Sequence, residues 1–340
     1  MPDTVNIETA VRQLNAPAPA ARSVLSVSQH QIVSDYISSC LPAASDTLYK
    51  PAQHHFERPG KQYRAILALS AGDCFGVDRS VSLPWAAAVE LLHNASLVHD
   101  DICDGDRYRR GVSSVWARFG QNTALALGDW LIAASFAQAS QAGIHAGSTS
   151  LVPILARHMA DTTSGQAGEF TITSYPDWTD YMTVSTAKTA PLFIAPVEGM
   201  AVLGERNELI APLRRFFTAL GGCYQIANDM MNVRGCDGAA SPASDLVRRA
   251  PNAVIVMFRQ TLDTPNMDAF NSWLSRGDSS EAGYWQDLLN RSPALEMTAA
   301  ALMNMMEEAE LSCAALPHDC QAIIAPIEAK LRDICAKLTL

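Results

Sequence analysis

Residues 91–104 read Leu-Leu-His-Asn-Ala-Ser-Leu-Val-His-Asp-Asp-Ile-Cys-Asp, an apolar run ending in three carboxylates, with Arg107, Arg109 and Arg110 just beyond. On a helix Asp100 and Asp104 lie four apart and Asp101 and Asp104 three apart, so all three are expected on one face near the helix end. Carboxylates crowded in this way repel one another unless a cation sits among them. A hard divalent ion such as Mg²⁺ suits them, because it takes carboxylate oxygens, keeps several waters and bridges to substrate phosphates. The arginines supply the other half of an anion site. A solvated acidic helix end is the bland alternative, and the apolar run leading into the acids argues against it.

A second stretch, 221–232, echoes the first. Asn228, Asp229 and Asn232 have the spacing of Asp100, Asp101 and Asp104, and Gln225 shares a face with Asp229. Two facing helices carrying such triplets would hold metal between them. An amide oxygen attracts a cation less than a carboxylate does, and Asn228 and Asn232 read equally well as polar residues of a helix face. Lys61 and Arg64, three apart after Pro59-Gly60, are expected on one face at a helix start, where the positive dipole end favours anions. Surface charge is the alternative there. Lys188-Thr189 before Pro191 is weak evidence alone, and His93 alone reads as a core histidine.

The elements that must carry these residues are helices. Helical periodicity predicts segments at 28–41, 61–75, 82–103, 121–142, 148–164, 179–205, 207–234, 251–262, 266–276, 281–290, 293–314 and 319–337, with Gly and Pro gathered between them. Strand-like alternation is scarce, and Phe170-Thr171-Ile172-Thr173 is its best candidate. The expectation is an all-α protein: a flexible leader over 1–25, containing Pro17 and Pro19, then one domain over 26–340.

Composition narrows the function class. The chain has 340 residues, 48% hydrophobic and 18% charged, with a net charge of -10. That acidity argues against nucleic acid as a partner. The eight cysteines are scattered, with no C-x-x-C pair. They read as reduced thiols in a cytoplasmic protein rather than a disulfide frame or zinc site. No stretch reads as a membrane span, and no signal peptide is expected.

Taken in order, Gly60-Lys61-x-x-Arg64, His93-x-x-Ser96-Leu97-x-His99-Asp100-Asp101-x-x-Asp104, Arg109-Arg110-Gly111, Leu127-Gly128-Asp129-x-Leu131, Gly165-Gln166, Lys188-Thr189 and Gln225-x-x-Asn228-Asp229 resemble the trans-isoprenyl diphosphate synthases, the polyprenyl synthetase family. The resemblance spans roughly 55–255. It implies an isoprenoid synthase-type helical bundle of about a dozen helices around a deep central cavity, usually a homodimer. It also implies a chemistry: more than one Mg²⁺ ion grips an allylic diphosphate, the C–O bond ionises, isopentenyl diphosphate attacks through its double bond, and a proton is lost. By resemblance Asp100, Asp101, Asp104, Asp229 and Asn228 are metal ligands. Arg109, Lys188, Thr189 and Gln225 surround the allylic diphosphate, and Lys61, Arg64, His93 and Arg110 match the isopentenyl diphosphate site. Ala95 and Ser96, five and four before the first aspartate, sit under the growing tail; both are small, which implies a product of about C20 or longer.

The chain also departs from the family pattern. The second motif is normally three aspartates. Lysines are usual five residues before and after the aspartate aligned with Asp245, where Ala240 and Ala250 stand. Pro59 replaces a glycine, and the usual basic C-terminal tail is absent. The wall opposite the first motif is therefore expected to have lost charge. Three functions stay open: prenyl coupling, regular or irregular; a terpene cyclase on the same fold; and a non-catalytic partner subunit of a prenyl synthase.

Overall fold

Helix α4 (Arg79–Cys103) carries the first acidic stretch, and the other elements are arranged about it. Its start is set by Asp78, whose side chain accepts from the Ser80 N–H, an N-cap contact that satisfies one of the helix's orphan donors. Val81, Trp85, Ala88, Leu91, Leu92, Ala95 and Val98 are buried along it, at the three- and four-residue spacing of a core-facing helix. Its broadest packing is against α6 (Gln121–Ala146). At Gly128 that approach is so close that a Cβ would fall 2.0 Å from His99 Nε2.

The computed structural model describes residues 24–170, 174–236, 242–276 and 280–338. Within them α1 (Val24–Ser39), α2 (Tyr49–Phe56) and α3 (Tyr63–Cys74) precede α4. A hairpin of β1 (Tyr108–Arg109) and β2 (Val112–Ser113) follows it. Then come α5 (Val115–Phe119), α6 (Gln121–Ala146), α7 (Leu151–Phe170), α8 (Trp178–Thr189), α9 (Pro191–Leu203), a 3-10 turn (Asn207–Leu209) and α10 (Ile210–Val233). The chain continues with α11 (Ser244–Arg248), α12 (Ala253–Thr261), α13 (Thr264–Arg276), α14 (Ala282–Arg291), α15 (Ala294–Ala314) and α16 (His318–Leu338). The all-α expectation holds. No helix among the described residues is long and apolar enough to cross a membrane.

The differences from expectation lie at breaks and short pieces. The segment 179–205 is two helices, because Pro191 brings no N–H and restricts the residue before it. The short α2, α5 and α11 are too brief to show a period. The hairpin pairs Tyr108 with Ser113 and Arg109 with Val112. Its two-residue turn holds Arg110 (φ 53) and Gly111 (φ 77) in the left-handed region, as primed turns require. Phe170 ends α7 rather than starting a strand, and 171–173 lie outside the described residues, as do residues 1–23 of the expected leader.

Candidate functional site

The three carboxylates ending α4 are not equivalent. Asp101 is fully buried. Its Oδ1 accepts from both Arg109 Nε (2.7 Å) and Arg109 Nη2 (2.6 Å), while its buried Oδ2 has no hydrogen-bond partner. The hairpin exists to deliver that arginine, since its turn brings Arg109 back over the helix end. Asp100 is half-buried and Asp104 exposed. Burial, with Asp104 and Glu169 nearby, pushes the Asp100 carboxyl up to about 6 against the pull of Lys188 and Arg109.

Lys188 reaches this acidic face from α8. Its Nζ donates to Glu169 Oε1 at 2.6 Å, and Gln166 Nε2 donates to Glu169 Oε2 at 3.1 Å. Burial favours the neutral amine, but Glu169, Asp104 and Asp100 outweigh it and hold the Lys188 pKa above its ordinary value. Gly165 makes this possible. A Cβ there would lie 2.5 Å from Lys188 N and 2.7 Å from Ala187 C, so only glycine lets α8 press this closely on α7. Glu169 escaped the sequence reading, although its place one helical turn after Gln166 was a usable signal. Thr189, half-buried, closes α8 beside Lys188.

A basic cluster gathers about His93. Helix α3 begins at Tyr63, and Gln62 is left-handed (φ 49), pinned by a 2.8 Å donation to Ser34 Oγ. Lys61 therefore precedes the helix and does not share a helical face with Arg64, as the spacing predicted. Arg64 lies 4.2 Å from the Phe193 ring centroid, its buried Nε without a hydrogen-bond partner. The expected anion site at this helix start is partly filled, because the buried Glu90 accepts from the Ala65 N–H at 3.2 Å. Burial raises the Glu90 carboxyl pKa while Arg64 pulls against it. Burial, aided by Arg64, Arg110 and Arg109, drives His93 well below its usual range, so it is neutral. Arg110 spans back to the 58–60 turn, donating to the Arg58 carbonyl at 2.9 Å and lying over Gly60, whose absent Cβ leaves it room.

The second motif is engaged in hydrogen bonds. Asp229 is buried: Oδ2 accepts from Tyr181 Oη (2.5 Å) and the Ala253 N–H (2.6 Å), and Oδ1 accepts from Gln225 Nε2 (3.0 Å). Burial pushes its carboxyl up to about 7 against the hydrogen bonds from Tyr181 and Ala253. Asn232 donates to Ser244 Oγ at 2.8 Å and accepts from the Asp245 N–H at 3.2 Å, which fixes α11. Asn228 is half-buried. The opposite wall is not stripped of charge, as the missing lysines had suggested. Arg248 Nη1 donates to the Asp104 carbonyl at 2.8 Å, and Arg248 Nη2 donates to Asp245 Oδ1 at 2.7 Å.

Among the described residues no three His, Cys, Asp or Glu side chains converge enough to hold a metal ion alone. Mg²⁺ does not ask for that, being held by one or two carboxylates plus waters and phosphate oxygens. The hard-oxygen donors Asp100 and Asp104, whose mutual repulsion helps raise the Asp100 pKa, fit such an ion. Below them a pocket is lined by Leu92, Ala95 and Ser96 of α4, Ile132 of α6, Met159 and Thr162 of α7, and Leu192 of α9.

Comparison with known proteins identifies the family. Residues 45–290 match the model of the polyprenyl synthetase family. A geranylgeranyl diphosphate synthase of Sulfolobus acidocaldarius is 29% identical over 237 residues, 68% of this chain and 71% of that protein. An all-trans-nonaprenyl-diphosphate synthase (geranyl-diphosphate specific) of Rhodobacter capsulatus is 26% identical over 284 residues, 82% and 84% of the two chains. In fold, the crystal structure of a polyprenyl synthase from Caulobacter crescentus, complexed with calcium and isoprenyl diphosphate, superposes with a TM-score of 0.78 at 22% identity, covering 97% of this chain and 98% of that one. The chain belongs to the polyprenyl synthetase family, and its activity is of the prenyltransferase class.

Proposed function

We propose that the chain couples an allylic diphosphate to isopentenyl diphosphate, releasing inorganic diphosphate and forming a polyprenyl diphosphate of about C20 or longer. The observation that carries this is the pairing of two separate anion-seeking regions. One is the acidic face of Asp100, Asp104 and Glu169 with Lys188, which would take a diphosphate through metal; the other is the basic cluster of Arg64 and Arg110 about the neutral His93. A cyclase, with one diphosphate to bind, has no need of the second. Asp100 and Asp104, with Asp101 behind them, would hold Mg²⁺, more than one ion by family resemblance. Bound there, the metal would act as a Lewis acid on the diphosphate leaving group. Lys188 and Arg109 orient that diphosphate, and Arg64, seated on Phe193, holds the second substrate. The tail enters the pocket floored by Leu92, Ile132 and Met159, where Ala95 and Ser96 leave room. Relatives named as geranylgeranyl and nonaprenyl synthases support a long product.

The same reading has one domain over 26–340, supported by buried residues from Val33 to Leu338. It also has a homodimer, supported by exposed Leu125 and Ile144 on α6 and Val152 on α7. It places the chain in the cytoplasm, supported by eight cysteines that form no disulfide. A second reading is favoured by the second motif: with Asp229 saturated by Tyr181, Ala253 and Gln225, the chain would couple irregularly or serve as a partner subunit.

One experiment separates these. Purified protein is incubated with Mg²⁺ and geranyl, farnesyl or geranylgeranyl diphosphate, each with and without isopentenyl diphosphate. Longer diphosphates that need isopentenyl diphosphate support coupling, and the linkage in the product tells regular from irregular. Hydrocarbon or alcohol from the allylic substrate alone sinks the coupling reading in favour of a cyclase. Turnover that appears only on adding a synthase supports the subunit.

A further inference from the structure

The guanidinium of Arg248 joins the two walls of the cleft. It leaves the five-residue α11 and donates through Nη1 to the Asp104 carbonyl at 2.8 Å, with Asp106 Oδ1 3.6 Å from the same nitrogen. Through Nη2 it donates to Asp245 Oδ1 at 2.7 Å. The chain of contacts continues inward. Asn252 Nδ2 donates to Asp245 Oδ2 at 2.9 Å and to the Asp229 carbonyl at 3.3 Å. A polar relay thus runs from the end of the first acidic stretch to the backbone of the second, and Arg248 is its crossing link. Burial opposes the Arg248 charge, but Asp245, Asp104 and Asp106 outweigh it and keep the guanidinium strongly cationic.

The segment has been built around this contact. Ala243 (φ 52) and Arg249 (φ 58) flank α11 in the left-handed region, unfavourable for residues with a Cβ. Asn232 holds the turn through Ser244 and the Asp245 N–H. Positions 240 and 250, where cations are expected, are alanine. The cation on this wall comes instead from 248, at a register that points it back to α4. Its side chain remains 40% exposed, so it is within reach of an anion entering the cleft.

We propose that Arg248 is a positioning residue for the allylic diphosphate: it clamps α11 to the end of α4 and so fixes Asp104 and its facing wall at the spacing the diphosphate needs. This rests on the coupling function proposed above. Its planar fork satisfies a carbonyl and a carboxylate at once.

The test compares Arg248→Gln and Arg248→Lys with the parent protein. Without any ligand, amide hydrogen exchange over 242–252 should speed by about tenfold in Arg248→Gln, the loss expected for a charge-assisted contact, with exchange in the α4–α6 core unchanged. Calorimetric affinity for inorganic diphosphate with Mg²⁺ should fall about tenfold. In turnover KM for the allylic diphosphate should rise while KM for isopentenyl diphosphate stays, and Arg248→Lys should recover part of each loss. Unchanged exchange at 242–252, or equal shifts in both KM values, would overturn the proposal. If the parent protein proves inactive, the coupling function fails, while exchange and diphosphate binding still decide the role of Arg248.

Discussion

Asp101 and Asp104 separate a structural from an exposed role within one motif. Asp101 is buried and carries two nitrogens of Arg109 on one oxygen; Asp104 is exposed and leaves Arg248 its carbonyl. Asp101→Asn should lower stability by about 3 kcal/mol, because Arg109 is left without its charge partner, whereas Asp104→Asn should change it by less than about 0.5 kcal/mol. Both should lose activity. Urea unfolding of the two variants checks this, and equal stability losses would refute it. Asn232 makes the complementary case. Restoring the family's aspartate there would remove the donor to Ser244 and add a buried charge beside Asp229 and Asp245. Asn232→Asp should therefore cost about 1–3 kcal/mol and fail to raise the rate of ionisation; a faster reaction at undiminished stability would show that 232 still faces metal. Residue identity and spacing made the carboxylates legible in the sequence. Their partners were not, because Tyr181 and Ala253 reach Asp229 from 48 and 24 residues away.

Among elements, the placement of α8 against α7 decides whether the cationic wall exists. Gly165 was legible as half of a Gly-Gln motif, but its reason, backbone contact with Ala187 and Lys188, is a property of two packed helices. Gly165→Ala meets backbone rather than a yielding side chain, so α8 must shift. A loss of about 1–3 kcal/mol is expected, with a raised KM for the allylic diphosphate as Lys188 leaves Glu169. Gly283→Ala, in α14 with nothing within 4 Å of the new Cβ, should instead gain up to about 1 kcal/mol from helix propensity. Thermal unfolding of the pair measures both, and a Gly165→Ala protein as stable as its parent would remove the close-packing argument. The long amphipathic helices could be read from periodicity. The hairpin could not, because two-residue strands have no period; only the Gly111 turn after two arginines marked it.

At the scale of the molecule, the helical class and the order of motifs were evident from sequence, while the buried polar network that sets pH behaviour was not, since it forms only when distant elements close. His55 Nε2 donates to Asn94 Oδ1 at 3.0 Å, and Asn94 Nδ2 donates to the Glu90 carbonyl at 2.8 Å. Burial drives the His55 pKa down to about 3 from 6.5, with Arg110 and Arg109 adding to it. The folded state therefore refuses a proton that the unfolded chain accepts below 6.5. Stability from this residue is complete above pH 6.5 and is lost as pH falls from 6.5 toward 3, by a total on the order of 5 kcal/mol. Glu198, held down to about 2 by His158, Arg214 and Arg157 despite its burial, adds a loss of the same sign from about 4.5 downward. Asp229, pushed up to about 7 from 3.8, acts oppositely, its contribution lost as pH rises from 3.8 to 7. His55→Gln keeps an amide donor for Asn94 Oδ1 but cannot titrate. Between pH 4.5 and 6.5 the two slopes oppose, so the urea midpoint of His55→Gln should fall more steeply with rising pH than the parent's, because Asp229 then acts unopposed. Midpoints that run parallel to the parent's across pH 4.5–6.5 would mean that His55 does not carry the acid sensitivity.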